Sequence, residues 1–103
     1  MHKRTRALAI APAVKRRVYE RDGGCCILCG APGDPSAHFI ARSQGGLGVE
    51  ENIFTACQQC HWLYDNSDRR KALRQEIRAY LQSRYPDWDE SKLIYQKQGG
   101  PYV

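Results

Sequence analysis

Cys26-Ile27-Leu28-Cys29 and Cys57-Gln58-Gln59-Cys60, separated by residues 30–56, decide how this chain is read. Two thiolates at a C-x2-C spacing can reach one ion from a single turn. Two such turns complete a tetrahedral shell, the closed geometry of structural zinc. A redox reading would make one C-x-x-C pair catalytic, but it requires a βαβ pattern that the chain lacks. A disulfide framework fits poorly because the cysteines number five. Cys25 is a spare thiol unless it replaces Cys26 in a Cys25-x3-Cys29 knuckle. With 103 residues and only short strands, the core is modest. The ion is therefore expected to supply folding energy on the order of 10 kcal/mol, as in other small zinc modules.

Between the knuckles, Ala37-His38-Phe39-Ile40-Ala41 alternates like a short strand, and residues 42–48 (RSQGGLG) form a glycine loop. Glu51-Asn52-Ile53-Phe54-Thr55-Ala56 reads as a second strand leading into the second knuckle. Upstream, Pro12 suits the first position of a helix over 12–21, with Val14 and Val18 as its apolar pair and Lys15, Arg16, Arg17 and Arg21 pointing elsewhere. Asp22-Gly23-Gly24 ends that helix. Downstream, residues 61–65 are predicted to be helical. A longer helix follows, capped by Ser67 or Asp68, with Leu73, Ile77, Tyr80 and Leu81 on its buried face and an end near Arg84 imposed by Pro86. Residues 1–11 read as a basic arm, and residues 85–103 as an extension whose Trp88, Leu93, Ile94 and Tyr95 pack on the domain or on a partner.

Hydrophobic residues make up 42% and charged residues 26%, which is the composition of a soluble globular chain. No apolar run approaches the roughly 20 residues of a membrane-spanning helix. The N-terminus imitates a secretion signal, but Pro12 interrupts Ala7 to Val14 and Lys15, Arg16 and Arg17 follow at once. A net charge of +5 favours a polyanionic partner. Lys3, Arg4, Arg6, Lys15, Arg16, Arg17 and Arg21 face a single acid, Glu20, in the first part of the chain.

Ala37-His38-Phe39-Ile40-Ala41-Arg42-Ser43, Gly45-Gly46, Asn52 and Cys57-Gln58-Gln59-Cys60-His61 together resemble the HNH endonuclease family. The resemblance covers about residues 14–66, and its details look most like the small standalone HNH proteins of phages and prophages. It implies an α+β fold built on a ββα-metal core with four-cysteine zinc knuckles, flanked by the helix at 12–21 and the longer C-terminal helix. The nuclease domain is placed at 12–84, between the arm at 1–11 and the extension at 85–103.

Carried onto this chain, the resemblance makes His38 the general base that deprotonates water, a task suited to imidazole. Asn52 holds the two strands and keeps His38 oriented, and His61 coordinates a catalytic divalent ion from the helix. Asp65, one turn after His61, projects from the same helix face and is the expected second ligand. The family's usual metal-binding residue immediately before the base histidine is replaced here by Ala37. Lys15, Arg16, Arg17, Arg21 and Arg42 are the expected phosphate contacts.

The expected function is metal-dependent hydrolysis of DNA phosphodiester bonds. It would use structural Zn2+ and one catalytic Mg2+, or Mn2+ or Ni2+, in the cytoplasm of a bacterial or phage-infected cell, as a monomer or weak dimer. The alternatives are a non-catalytic zinc-stabilised DNA-binding module and a partner-dependent subunit of a phage packaging or restriction complex.

Overall fold

The computed structural model describes residues 3–96. Four helices and one two-stranded antiparallel sheet follow in the order α1 (Lys3–Leu8), α2 (Pro12–Arg21), β1 (Asp34–His38), β2 (Ile53–Ala56), α3 (Gln58–Asn66) and α4 (Arg70–Arg84). Short 3-10 turns at Arg42–Gln44, Glu50–Asn52 and Glu90–Leu93 complete the set. This is the small α+β arrangement expected, with the hairpin and α3 forming the ββα centre between α2 and α4.

Local chemistry accounts for the boundaries. Pro12 opens α2, and Gly23 and Gly24, both left-handed, turn the chain after Asp22. Cys57 opens α3 and accepts a hydrogen bond from the Cys60 N–H, so the second knuckle is also a helix N-terminus. The hydroxyl of Ser67 accepts from the Arg69 N–H ahead of α4. That helix stops at Arg84, where Tyr85 becomes extended before Pro86.

β1 pairs with β2 through Ala37 opposite Phe54 and His38 opposite Ile53, with an irregularity towards Asp34. The strand lies earlier than the 37–41 expected because pairing stops at His38. Beyond it, the Asn52 side chain takes the backbone N–H and C=O of Ile40 in place of a facing strand. Glu51 and Asn52, also expected in the second strand, form the 3-10 turn instead. Alternation along β1 buries Ala37, with Phe39 beyond it, and leaves Ser36 and His38 half-buried on the other face.

Phe39, Phe54, Tyr64, Leu73, Ile77, Leu81 and Leu93 form the core between the hairpin, α3 and α4. Each such side chain contributes roughly 1.5–3 kcal/mol on burial. Of residues 85–96, Trp88 and Leu93 pack on this core, whereas Ile94, expected to pack with them, is exposed. Trp88 meets Phe39 edge-on at 5.7 Å and donates to the Glu51 carbonyl, and Leu93 is buried. Lys97 to Val103 of the expected extension lie outside the described residues.

Within the expected basic arm, the described residues from Lys3 onward form α1 and dock on the domain. Leu8 is buried, and the Gly48 N–H donates to the Ala7 carbonyl at 3.0 Å. The four apolar residues Ala7 to Ile10 give this segment a surface that can dock, which its basic flank obscures.

Candidate active site and metal centre

The four knuckle thiols meet at one point. The Sγ atoms of Cys26, Cys29, Cys57 and Cys60 all lie within 4.8 Å of one another, and those of Cys29 and Cys57 are 3.6 Å apart. Ligands about 2.3 Å from a tetrahedral zinc stand about 3.8 Å apart, so the donors match such a shell in number, element and spacing. The first knuckle is shaped by the Cys26 N–H donating to the Ala31 carbonyl, the Gly30 N–H donating to the Cys26 carbonyl, and a left-handed Gly30. Cys25 sits in a bridge with Pro32 and is outside the group.

The thiols' electrostatics also suit a cation. Burial raises the pKa of Cys26, yet backbone N–H groups of Cys57, Leu28 and Cys29 outweigh it and bring the thiol down to about 7. Cys60 is pushed up by burial and by sharing hydrogen bonds with the other three sulfurs. Cys29 is pulled down by the Ala31 N–H but driven up further by Cys57 and Cys26. One thiolate forms readily and its neighbours resist, which is the behaviour of a donor set that needs a positive ion to ionise fully.

A second centre opens on the other side of α3. A cleft of about 850 Å³ is lined by His38, Arg42, His61, Asp65, Lys15 and Arg70 among others. His61 Nε2 lies 3.2 Å from Asp65 Oδ2, and the two side chains are 37% and 45% exposed. Adjacent ligands on an octahedral ion at about 2.1 Å stand about 3.0 Å apart, so this pair also fits two positions of one divalent shell. Ala37 is fully buried in the core and supplies no donor.

His38 is half-buried, and its Nε2 is 3.0 Å from the Leu8 carbonyl. Burial first, then the charges of Arg42 and His61, hold its pKa below the usual 6.5, against the Leu8 hydrogen bond and the Asp65 charge. The neutral imidazole is favoured. Asn52 is fully buried. Its Oδ1 accepts from the Ile40 N–H at 2.8 Å, and its Nδ2 donates to the carbonyls of Ile40 and Leu47. It thereby pins the loop that follows His38 to the hairpin. Gly46 makes this loop feasible, since a Cβ there would sit 1.7 Å from the Ile40 carbonyl oxygen.

The expected cations divide. Lys15 and Arg42 line the cleft, and Arg16 is exposed on α2. Arg17 is exposed but paired with Glu50. Arg21 is a correction: its side chain is only 9% exposed and is turned inward. It donates to the Asp22 carboxylate, the Glu50 and Ile53 carbonyls and the Tyr85 hydroxyl. Val14, Val18 and Arg21 share one helix face by their i, i+4, i+7 spacing, and that signal outweighs charge in deciding direction. Arg70, one of a second basic stretch on the long helix, is not among the expected phosphate contacts. It lines the cleft while its guanidinium lies 4.7 Å from the centre of the Tyr64 ring.

A hairpin and helix that gather a four-thiol knuckle on one side and a histidine-rich cleft on the other define a ββα-metal domain. Residues 26–66 match the family model described as HNH endonuclease, so this segment is an HNH domain, of a nuclease family. No curated protein matches the chain. Among the described residues, no helix is long and apolar enough to cross a membrane.

Proposed function

We propose that the protein is a DNA endonuclease of the HNH type. The observation that carries this reading is the convergence of His38, His61 and Asp65 with the cations Lys15, Arg42 and Arg70 on one open cleft within and beside the HNH segment. His38, neutral at physiological pH, takes a proton from water as the water oxygen attacks phosphorus. The bond from phosphorus to the 3′ oxygen breaks, leaving 5′-phosphate and 3′-hydroxyl ends. His61 and Asp65 would hold a divalent ion such as Mg2+, Mn2+ or Ni2+, which would supply Lewis-acid charge at the leaving oxygen. Lys15, Arg42 and Arg70 hold the substrate phosphates, and Arg16 and Arg17 extend the basic surface along α2. Such contacts fix position without reading sequence, and they weaken with salt. Asn52 acts by positioning, through the loop it pins. The four cysteines hold structural zinc and take no part in the reaction. The nuclease unit spans residues 12–84, working on DNA in a bacterial or phage-infected cytoplasm as a monomer or weak dimer.

Buried Ala37 favours a second reading, since it leaves the catalytic ion two protein ligands. In that reading cutting waits for a partner, as in a subunit of a phage packaging or restriction complex, or the chain only binds DNA. A supercoiled-plasmid assay decides between the two. Nicking with Mg2+, Mn2+ or Ni2+ that stops in EDTA and is lost in both His38→Ala and His61→Ala supports the endonuclease. Salt-sensitive binding by zinc-loaded protein without cutting moves the assignment to the second reading.

A further inference from the structure

The chain segment at residues 7–10 lies outside the HNH-matched residues, yet it forms part of the cleft. Ala9 and Ile10 line it, Leu8 is buried beside it, and the Leu8 carbonyl meets His38 Nε2 at 3.0 Å. A carbonyl oxygen can only accept a hydrogen bond, so Nε2 carries the ring proton and Nδ1 keeps its lone pair. The segment is held by the Gly48 N–H donating to the Ala7 carbonyl and by the Ala9 N–H donating to the Thr5 carbonyl. Gly48 is also a point of close approach between the two backbones. A Cβ there would lie 2.0 Å from the Ala9 oxygen and 3.0 Å from the Leu8 oxygen. Burial of Leu8 would anchor the segment with or without a polar contact, but the carbonyl is delivered to a ring nitrogen.

We propose that residues 7–10 are a positioning strap that fixes His38 in the Nε2–H tautomer and so makes Nδ1 the atom that accepts the proton from water. The kinetic consequence rests on the endonuclease reading; the tautomer does not. Arg42, His61, Asp65, Lys15 and Arg70 share the cleft with His38, and each belongs to an element other than the strap. The strap thus contributes a backbone acceptor to a site otherwise built from side chains.

The test uses the full-length, zinc-loaded protein and two variants that dislodge the strap in different ways. Gly48→Ala introduces the close contact with Ala9, and Leu8→Gln puts a polar group into a buried apolar seat. Ring-nitrogen NMR at about pH 8, where imidazole is neutral, reads the His38 tautomer, with assignments from His2→Gln and His61→Gln. The parent is expected to show one tautomer, protonated at Nε2, and each variant that retains zinc the averaged signature of a ring exchanging between two. Plasmid cleavage in the variants is expected to fall roughly tenfold in kcat with KM nearly unchanged, the loss of one ordinary hydrogen bond. A parent ring protonated at Nδ1, an unaltered Nε2–H ring in both variants, or a rise in kcat overturns the proposal; the last would make the segment an inhibitory cover. If the parent cuts no DNA, the endonuclease reading fails while the NMR still decides the strap.

Discussion

The two sides of α3 present donor groups in opposite ways. Cys57 and Cys60, with Cys26 and Cys29, make a shell with no vacancy, whereas His61 and Asp65 offer two donors on an open cleft. A closed shell can only hold the fold together, and an open one leaves positions for water and phosphate oxygens. Adjacent residues Cys60 and His61 fall on different sides because successive helical residues point about 100° apart. One turn of helix therefore presents donors to two separate places.

The sharpest way to break this comparison is to remove one centre and watch the other. Cys57→Ser, or a strong chelator, should cost on the order of 10 kcal/mol and unfold the hairpin and α3 together, seen as loss of helical circular dichroism with zinc release. His61→Ala should do the reverse, keeping zinc and the thermal transition while cleavage falls. If zinc leaves with His61, the two centres are one.

Smaller effects sharpen the picture. Arg21→Ala should destabilise by about 3–5 kcal/mol in denaturant unfolding, because it strands the buried Asp22 carboxylate. Asp22 is raised by burial, but the Arg21 and Tyr80 hydrogen bonds hold it below the ordinary carboxylate range, so the two groups form a charged pair. Arg16→Gln, on the exposed side of the same helix, should leave stability within about 0.5 kcal/mol. It should reduce the slope of DNA binding against salt by about one unit; an equal loss of stability in both variants would refute the division.

The pH profile follows from His38. A base acts in its neutral form, and burial with the neighbouring Arg42 and His61 charges lowers its pKa, so cleavage should survive below pH 6.5 and decline as pH falls through the depressed value. An acid limb of kcat/KM centred above 6.5 would contradict this assignment.

The four-thiol centre was legible because its spacing is local: each C-x2-C pair almost dictates its own turn. The placement of His38, Asn52, His61 and Asp65 could be anticipated through the resemblance carried by their order around the glycine loop. Arg21 was misjudged because a positive charge says nothing about direction, while its register with Val14 and Val18 does. Arg70 and the Leu8 carbonyl were beyond a local reading. Arg70 reaches the cleft through the packing of α4 on α3, and a backbone acceptor leaves no trace in residue identity.

The glycine loop is gripped from both directions along the chain: Ala7 takes the N–H of Gly48, while the Leu93 carbonyl takes that of Leu47 and the Tyr95 N–H binds the Gly45 carbonyl. During synthesis on a ribosome, the knuckles and the cleft residues emerge well before Leu93 and Tyr95. A nascent chain can thus gather its four cysteines first and close the glycine loop from the C-terminal side only later. The order of synthesis presents the cysteine shell before the contacts that close the glycine loop.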